Sequence, residues 1–234
     1  MAYRRQYKKQ GYRKKTQYRK KSRYGGRKYI KRKMKAQVRR VGVFMPDRYF
    51  TKLKYTYFRQ VTDDNTLSPP RRTIEFRGNS LFDPDSSVGI GQAQPLAFDQ
   101  LVQFYSRYRV YASKIQVRVH SLAGTGTTPY FLAVVPYNTN SSFISDNSIE
   151  AIVEQPYSRY ITRNQYDSNA MIKTIMSTAK IYGVPKTSVK VDDLFSAPVS
   201  NNPQNQWAWH ITYGQLNTSI GTPTSYSMEI KITY

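Results

Sequence analysis

The first forty residues carry nineteen of the chain's 37 Lys and Arg and no Asp or Glu, so a packed core has to come from the other 194 residues. The formal charge is +23 overall but only +4 over residues 41–234. Between Met1 and Ile30 the arm has almost no aliphatic side chains. It cannot bury enough surface to offset the entropy of ordering its backbone, and it is expected to stay unfolded when free. Residues 41–234 suit one domain.

The arm interleaves cations with tyrosines at spacings of four to six residues. A phosphate chain is a line of fixed charge whose condensed counterions are released when Lys and Arg replace them. The cations that suit this are Arg4, Arg5, Lys8, Lys9, Arg13, Lys14, Lys15, Arg19, Lys20, Lys21, Arg23, Arg27, Lys28, Lys31, Arg32, Lys33, Lys35, Arg39 and Arg40. Tyr3, Tyr7, Tyr12 and Tyr18 add planar faces for unpaired bases, and such stacking ignores sequence. The pattern favours flexible single strands over the groove of a duplex. The clusters Arg13-Lys14-Lys15, Arg19-Lys20-Lys21 and Lys31-Arg32-Lys33 also suit nuclear-import receptors. From Lys28 to Arg40, Ile30, Met34 and Val38 at four-residue spacing suit a basic helix formed on a partner.

Beyond Pro46 the pattern becomes short period-two runs separated by Gly, Pro, Asn, Asp and Ser clusters, the mark of half-buried strands. Leu53, Tyr55 and Tyr57 alternate with Lys52, Lys54 and Thr56. Ile74 and Phe76 alternate with Thr73, Glu75 and Arg77, and Ile115, Val117 and Val119 with Lys114, Gln116, Arg118 and His120. Tyr130 to Val135 reads as a continuous apolar strand closed by Pro136. Trp207, Trp209, Ile211 and Tyr213 share one face, as do Tyr226, Met228, Ile230, Ile232 and Tyr234. Short helices are expected after Pro95 and from Ser148 to Val153. Met171 to Tyr182 is assigned as a strand, although Met171, Ile172, Ile175, Met176 and Ala179 also fit helical spacing. Six to eight strands with long connections predict an all-β sandwich, a single eight-stranded jelly roll over residues 41–234.

Catalytic and metal chemistry find little support. With no Cys there is no disulfide, thiolate ligand or cysteine nucleophile, and a reducing compartment is expected. His120 and His210 fall on the polar phase of their strands and are expected to face solvent or an interface. Asp63-Asp64, Asp83/Asp85 and Asp192-Asp193 lie in turn-rich connections and read as turn formers rather than metal ligands. No phosphate-binding loop is present, and Gly89-Ile-Gly91 reads as a turn. No cofactor, metal site or enzymatic activity is expected. The longest apolar run is too short to span a bilayer, and Ala at position 2 removes an acylation site, so no membrane role is expected. Asn140-Ser-Ser and Asn217-Thr-Ser match the glycosylation pattern but are expected to remain unmodified. Fifteen tyrosines in residues 41–234 exceed what one core readily buries. Phe104 to Tyr111 and Tyr157 to Tyr160 are therefore expected at contacts between subunits.

Three segments, Phe104-Tyr-Ser-Arg-Tyr-Arg-Val-Tyr-Ala-Ser-Lys-Ile115, Ser177-Thr-Ala-Lys-Ile-Tyr-Gly183 and Asn201-Asn-Pro-Gln-Asn-Gln-Trp-Ala-Trp-His210, follow the basic arm in order. Together they resemble the capsid proteins of circoviruses, cycloviruses and related small circular single-stranded DNA viruses, although this arm uses Lys and Tyr about as freely as Arg. The resemblance implies a homo-oligomeric shell of sixty jelly rolls (T=1) with the arm inside against a circular single-stranded DNA genome. It further implies a nuclear stage in the host, a virion location and an outer surface that meets a host attachment factor. On this reading Asp83 to Gln94, Asn138 to Asn147 and Val184 to Asn205 are exposed or intersubunit loops. A cellular nucleic-acid-binding module, such as a ribosomal or chromatin protein with a basic tail, is the alternative, and a nuclease built on an acidic pair ranks third.

Overall fold

The structure, a computed structural model, describes residues 45–62, 69, 71–86, 93–123, 129–138, 148–164, 170–216 and 225–234. The nucleic-acid-binding reading of residues 1–40 lies outside the described residues, as do Asp63-Asp64, Gly89 to Gly91 and the 139–147 connection. The fold lies within one compact unit, Arg48–Tyr234.

Among the described residues the chain forms ten strands and four short helices. They run β1 (Lys54–Thr62), β2 (Arg71–Arg77), α1 (Phe98–Val102), β3 (Arg107–Arg109), β4 (Ala112–Ala123), β5 (Tyr130–Tyr137), α2 (Ile149–Val153), β6 (Arg159–Arg163), β7 (Met171–Ser177), α3 (Thr178–Ile181), α4 (Lys186–Val191), β8 (Ser196–Pro198), β9 (Ala208–Gln215) and β10 (Ser225–Thr233), with a 3-10 turn at Asp193–Phe195. No helix among them is long and apolar enough to cross a membrane.

The pairing is nested. Antiparallel ladders join β1 to β10, β2 to β9, β3 to β8, β4 to β7 and β5 to β6, as if the chain were one long hairpin with its bend between β5 and β6. The doubled chain then rolls up, because β10 also pairs with β4 and β9 with β5. Two four-stranded sheets result, ordered β1-β10-β4-β7 and β2-β9-β5-β6, with β3-β8 as a two-stranded annex. This is the jelly roll: two antiparallel sheets packed face to face through Greek-key connections.

The inward residues of both sheets make one core. Ile115, Val117, Val119, Tyr226, Met228, Ile230 and Ile232 from the first sheet meet Ile74, Phe76, Leu132, Val134, Trp209, Ile211 and Tyr213 from the second. The period-two reading of β1, β2, β4 and β10 therefore gives their faces correctly. β5 is apolar throughout for a different reason. On the outer face of its sheet Phe131, Ala133 and Val135 are covered by Ile152 of α2, so the strand is buried on both sides.

Four expectations need correction. Pro136 does not close β5; the strand continues to Tyr137. Its missing N–H is tolerated because pairing with β6 has already ended at Val134, while β9 still runs alongside. Met171 to Tyr182 is a strand only to Ser177, whose hydroxyl accepts from Lys180 N (3.2 Å) and caps α3; Gly183, at φ +66°, ends that turn. Asp83 and Asp85 are buried rather than solvating a turn. His210 is 1 % exposed, because its outer-face position on β9 lies beside Tyr137 and opposite Glu75 and Val135.

Candidate nucleic-acid interface

The three segments that carry the capsid resemblance come together in space. Trp207 donates its indole N–H to Thr178 Oγ1 (3.1 Å), and Thr178 Oγ1 donates to the carbonyl of Val110 (2.9 Å). Tyr182 donates to the carbonyl of Gln206 (2.6 Å), Tyr108 to that of Asn201 (2.8 Å), and Trp209 to Ser113 Oγ (2.8 Å). Next to them Asn79 accepts from Trp207 N (3.1 Å) and donates to Asn205 O (2.7 Å). Arg77 reaches both Gln206 and the buried carboxylate of Asp83. These residues lock the connections at one end of the sandwich. They tie the scaffold together there.

The outward faces of the two sheets differ sharply. On β2-β9-β5-β6, α2 and the residues around His210 make a second apolar layer. Burial pushes the His210 imidazole down to about 4 and lifts the Glu75 carboxyl above its ordinary value. That face is covered over β5 and around His210, while Tyr160 and Thr162 of β6 stay exposed.

The face of β1-β10-β4-β7 is open, and register places its side chains in three rows. Lys54, Thr233, Lys114 and Ile175 form the first; Thr56, Lys231, Gln116 and Lys173 the second; Phe58, Glu229, Arg118 and Met171 the third. Neighbouring rows sit about 7 Å apart and neighbouring strands about 5 Å apart. Five cations thus face one acid. Glu229, 7 % exposed in its side chain, pairs with Lys231, Arg118 (4.0 Å) and His120 (3.4 Å), and these partners hold its carboxyl below the usual range, Lys231 foremost. Lys54, Lys114 and Lys173 have no acid partner among the described residues of these strands. The Lys114 ammonium is pushed below its ordinary value, chiefly by the charge of Lys173, then by desolvation, with Lys52 adding to it.

An aromatic group borders the cations. The register shift between Ser227 and Met228 makes His120 an extra residue in β4, a bulge that aims its ring at Phe58. The two rings stack at 6.5 Å with 28° between planes, and Phe58 is 68 % exposed. The period-two pattern puts Lys54, Lys114, Arg118 and His120 in polar phases, and it does not single out Phe58, Lys173 or Lys231. The detectable signal was the near absence of acids from four strands that prove to be adjacent, but adjacency is a property of the topology.

The expected contact segments are only partly exposed. Phe104, Tyr157 and Tyr160 stand out to solvent, whereas Tyr108 packs edge-on against Phe98 (5.6 Å) and Tyr111 stacks on Phe50 (6.2 Å). Leu96 and Phe104 flank α1 as exposed apolar side chains. Within the Val184 to Asn205 connection Val189, Phe195 and Ala197 are buried, while Val191 and Leu194 stay exposed. No group of three His, Asp or Glu suited to a metal ion occurs among the described residues.

No family model matches the chain, and no curated protein does. Solved structures similar to it include a viral capsid protein and virus particles. The BFDV capsid protein, crystallised as a decamer, matches at 9 % identity and TM-score 0.41, with 79 % of this chain and 97 % of that one covered. Mud crab tombus-like virus matches at 10 % identity and TM-score 0.39, covering 81 % and 83 %. A virus-like particle of the nodavirus of the prawn Macrobrachium rosenbergii matches at 15 % and 0.34, covering 80 % and 85 %. The jelly-roll assignment itself rests on the strand pairing.

Proposed function

We propose that the chain is the coat protein of a small icosahedral virus, its jelly roll tiling a closed shell and residues 1–40 holding the genome inside. The observation that carries this reading is the division of charge: nineteen Lys and Arg without one acid stand ahead of a domain of net charge +4. The fold supports it, since jelly rolls recur in viral capsids and its closed core leaves the surface free for contacts between copies. So do large apolar side chains left in solvent, such as Leu96 at 91 % exposure and Phe104.

The finer form of the proposal is a sixty-copy T=1 shell around circular single-stranded DNA, with import of the coat protein into the host nucleus through the arm's basic clusters. The capsid resemblance of the three segments supports it. Shell formation needs no catalytic group, and the protein acts structurally. At full ion pairing the arms of sixty copies neutralise about 1,100 phosphates, so packaging weakens steeply with salt.

The test compares the full chain with one lacking residues 1–40. The full chain is expected to form closed particles that retain nucleic acid, and the truncated form to lose that retention. Equal co-purification of nucleic acid by both forms sinks the arm's role; a monomer or small oligomer under all conditions favours a cellular binding module.

A further inference from the structure

We propose that the outward face of the β1-β10-β4-β7 sheet is a second binding surface for single-stranded nucleic acid, built by the folded domain and separate from the arm. The inference deepens the coat-protein reading, on which it rests for the presence of a nucleic-acid cargo.

Three of the five cations, Lys54, Lys114 and Lys173, face no acid on these strands, and Lys114 and Lys173 repel one another in the free protein. A polyanion laid across the rows neutralises them and releases its own counterions. The same face of a second copy carries the same sign and is repelled, as is any basic segment. A polyanion is the ligand that this face attracts.

Shape selects among polyanions. A duplex is read by an element that enters a groove, and among the described residues this sheet face carries no protruding helix or ribbon to enter one. Unpaired bases lie flat on exposed aromatic rings, and cationic surfaces with such platforms bind single strands without reading sequence. Phe58, stacked on His120 at the margin of the cations, supplies that platform. The bulge that places His120 there costs ladder pairing in the middle of a sheet, and bulges of this kind serve to re-aim side chains.

The test uses the full chain and a single-stranded oligothymidylate, with affinity measured between about 50 and 200 mM salt. In Lys54→Gln/Lys114→Gln/Lys173→Gln the slope of log affinity against log salt is expected to fall in magnitude by about 2, three contacts at about 0.7 each, and the corresponding triple Arg variant to keep it. Lys173→Gln alone, on an edge strand, lowers the slope by about 0.7 and serves if the triple variant does not fold. Phe58→Ala is expected to weaken oligothymidylate binding about fivefold or more at every salt concentration with the slope unchanged. Its binding of heparin, a polyanion without bases, stays at the parent value.

Parental slope and affinity in folded Gln variants overturn the proposal, and so does a Phe58→Ala chain that binds oligothymidylate like the parent. Loss of particles by the Gln variants at unchanged slope also overturns it, by making the face a contact between copies. Loss of retention on deleting residues 1–40, together with parental behaviour of the Gln variants, removes this inference and leaves the arm's role standing. The reverse pattern supports the sheet surface and removes the arm's role.

Discussion

Trp207 gives its indole N–H to Thr178 Oγ1 at 3.1 Å, and the same hydroxyl goes on to the carbonyl of Val110. The chain joins three segments far apart in sequence, with every member buried. Thr178→Val keeps the shape but leaves an indole N–H and a backbone carbonyl without partners, each a desolvated polar group. A loss of about 2 kcal/mol is expected in urea unfolding. An unchanged midpoint would mean that the packing alone holds these connections.

Gly78 lies directly beneath the Trp207 ring, where its N–H donates to the Trp207 carbonyl (2.7 Å), and a Cβ there would run into the ring. Gly78→Ala is expected to cost about 1–3 kcal/mol through overpacking. Gly183 presents the opposite case: a Cβ meets open space, but φ is +66°. Gly183→Ala should cost about 1 kcal/mol from backbone strain, and Gly183→Asn much less. Equal losses for Gly183→Ala and Gly183→Asn would contradict the backbone origin of the second effect.

His210 makes stability depend on pH. Burial lowers its folded-state value from 6.5 to about 4, so on acidification the unfolded chain takes up the proton first. Stability therefore falls as pH drops from about 6.5 towards 4, by about 3 kcal/mol once pH is below both values. Glu75 acts with the opposite sign. Its raised folded-state value means that protonation relieves a burial cost as pH falls. Urea midpoints at several pH values should decline less steeply in His210→Gln than in the parent, and more steeply in Glu75→Gln. A His210→Gln profile parallel to the parent's would contradict the assignment.

Leu96 and Phe104 flank α1 with their side chains in solvent, where they add little to the fold of one copy. Leu96→Ser/Phe104→Ser is expected to melt within about 0.5 kcal/mol of the parent and to form fewer particles by sedimentation. Full assembly of the double variant would show that this apolar surface lies outside the contacts between copies.

The sandwich was legible because strands with one solvated face advertise it. Tyr55 against Lys54, Ile115 against Lys114 and Ile230 against Lys231 follow period two, and their burial follows suit. What escaped the sequence was long-range. His210 sits in a polar phase, yet its neighbours close over it. Asp83 looks like a turn residue, yet it accepts from Arg77 in the interior. The cationic face gathers Lys54, Lys114, Lys173 and Lys231 from four strands spread along the chain, and only the rolled-hairpin topology makes them neighbours.

The most direct test of the coat-protein account is the nuclease-protected nucleic acid held by purified particles of the full chain, beside a chain whose nineteen arm cations are changed to Gln. The account predicts closed shells from the parent holding up to about 20 protected nucleotides per chain, one for each arm cation, and little or none from the Gln chain. Protection that is undiminished in the Gln chain, or a parent that never assembles, would contradict it.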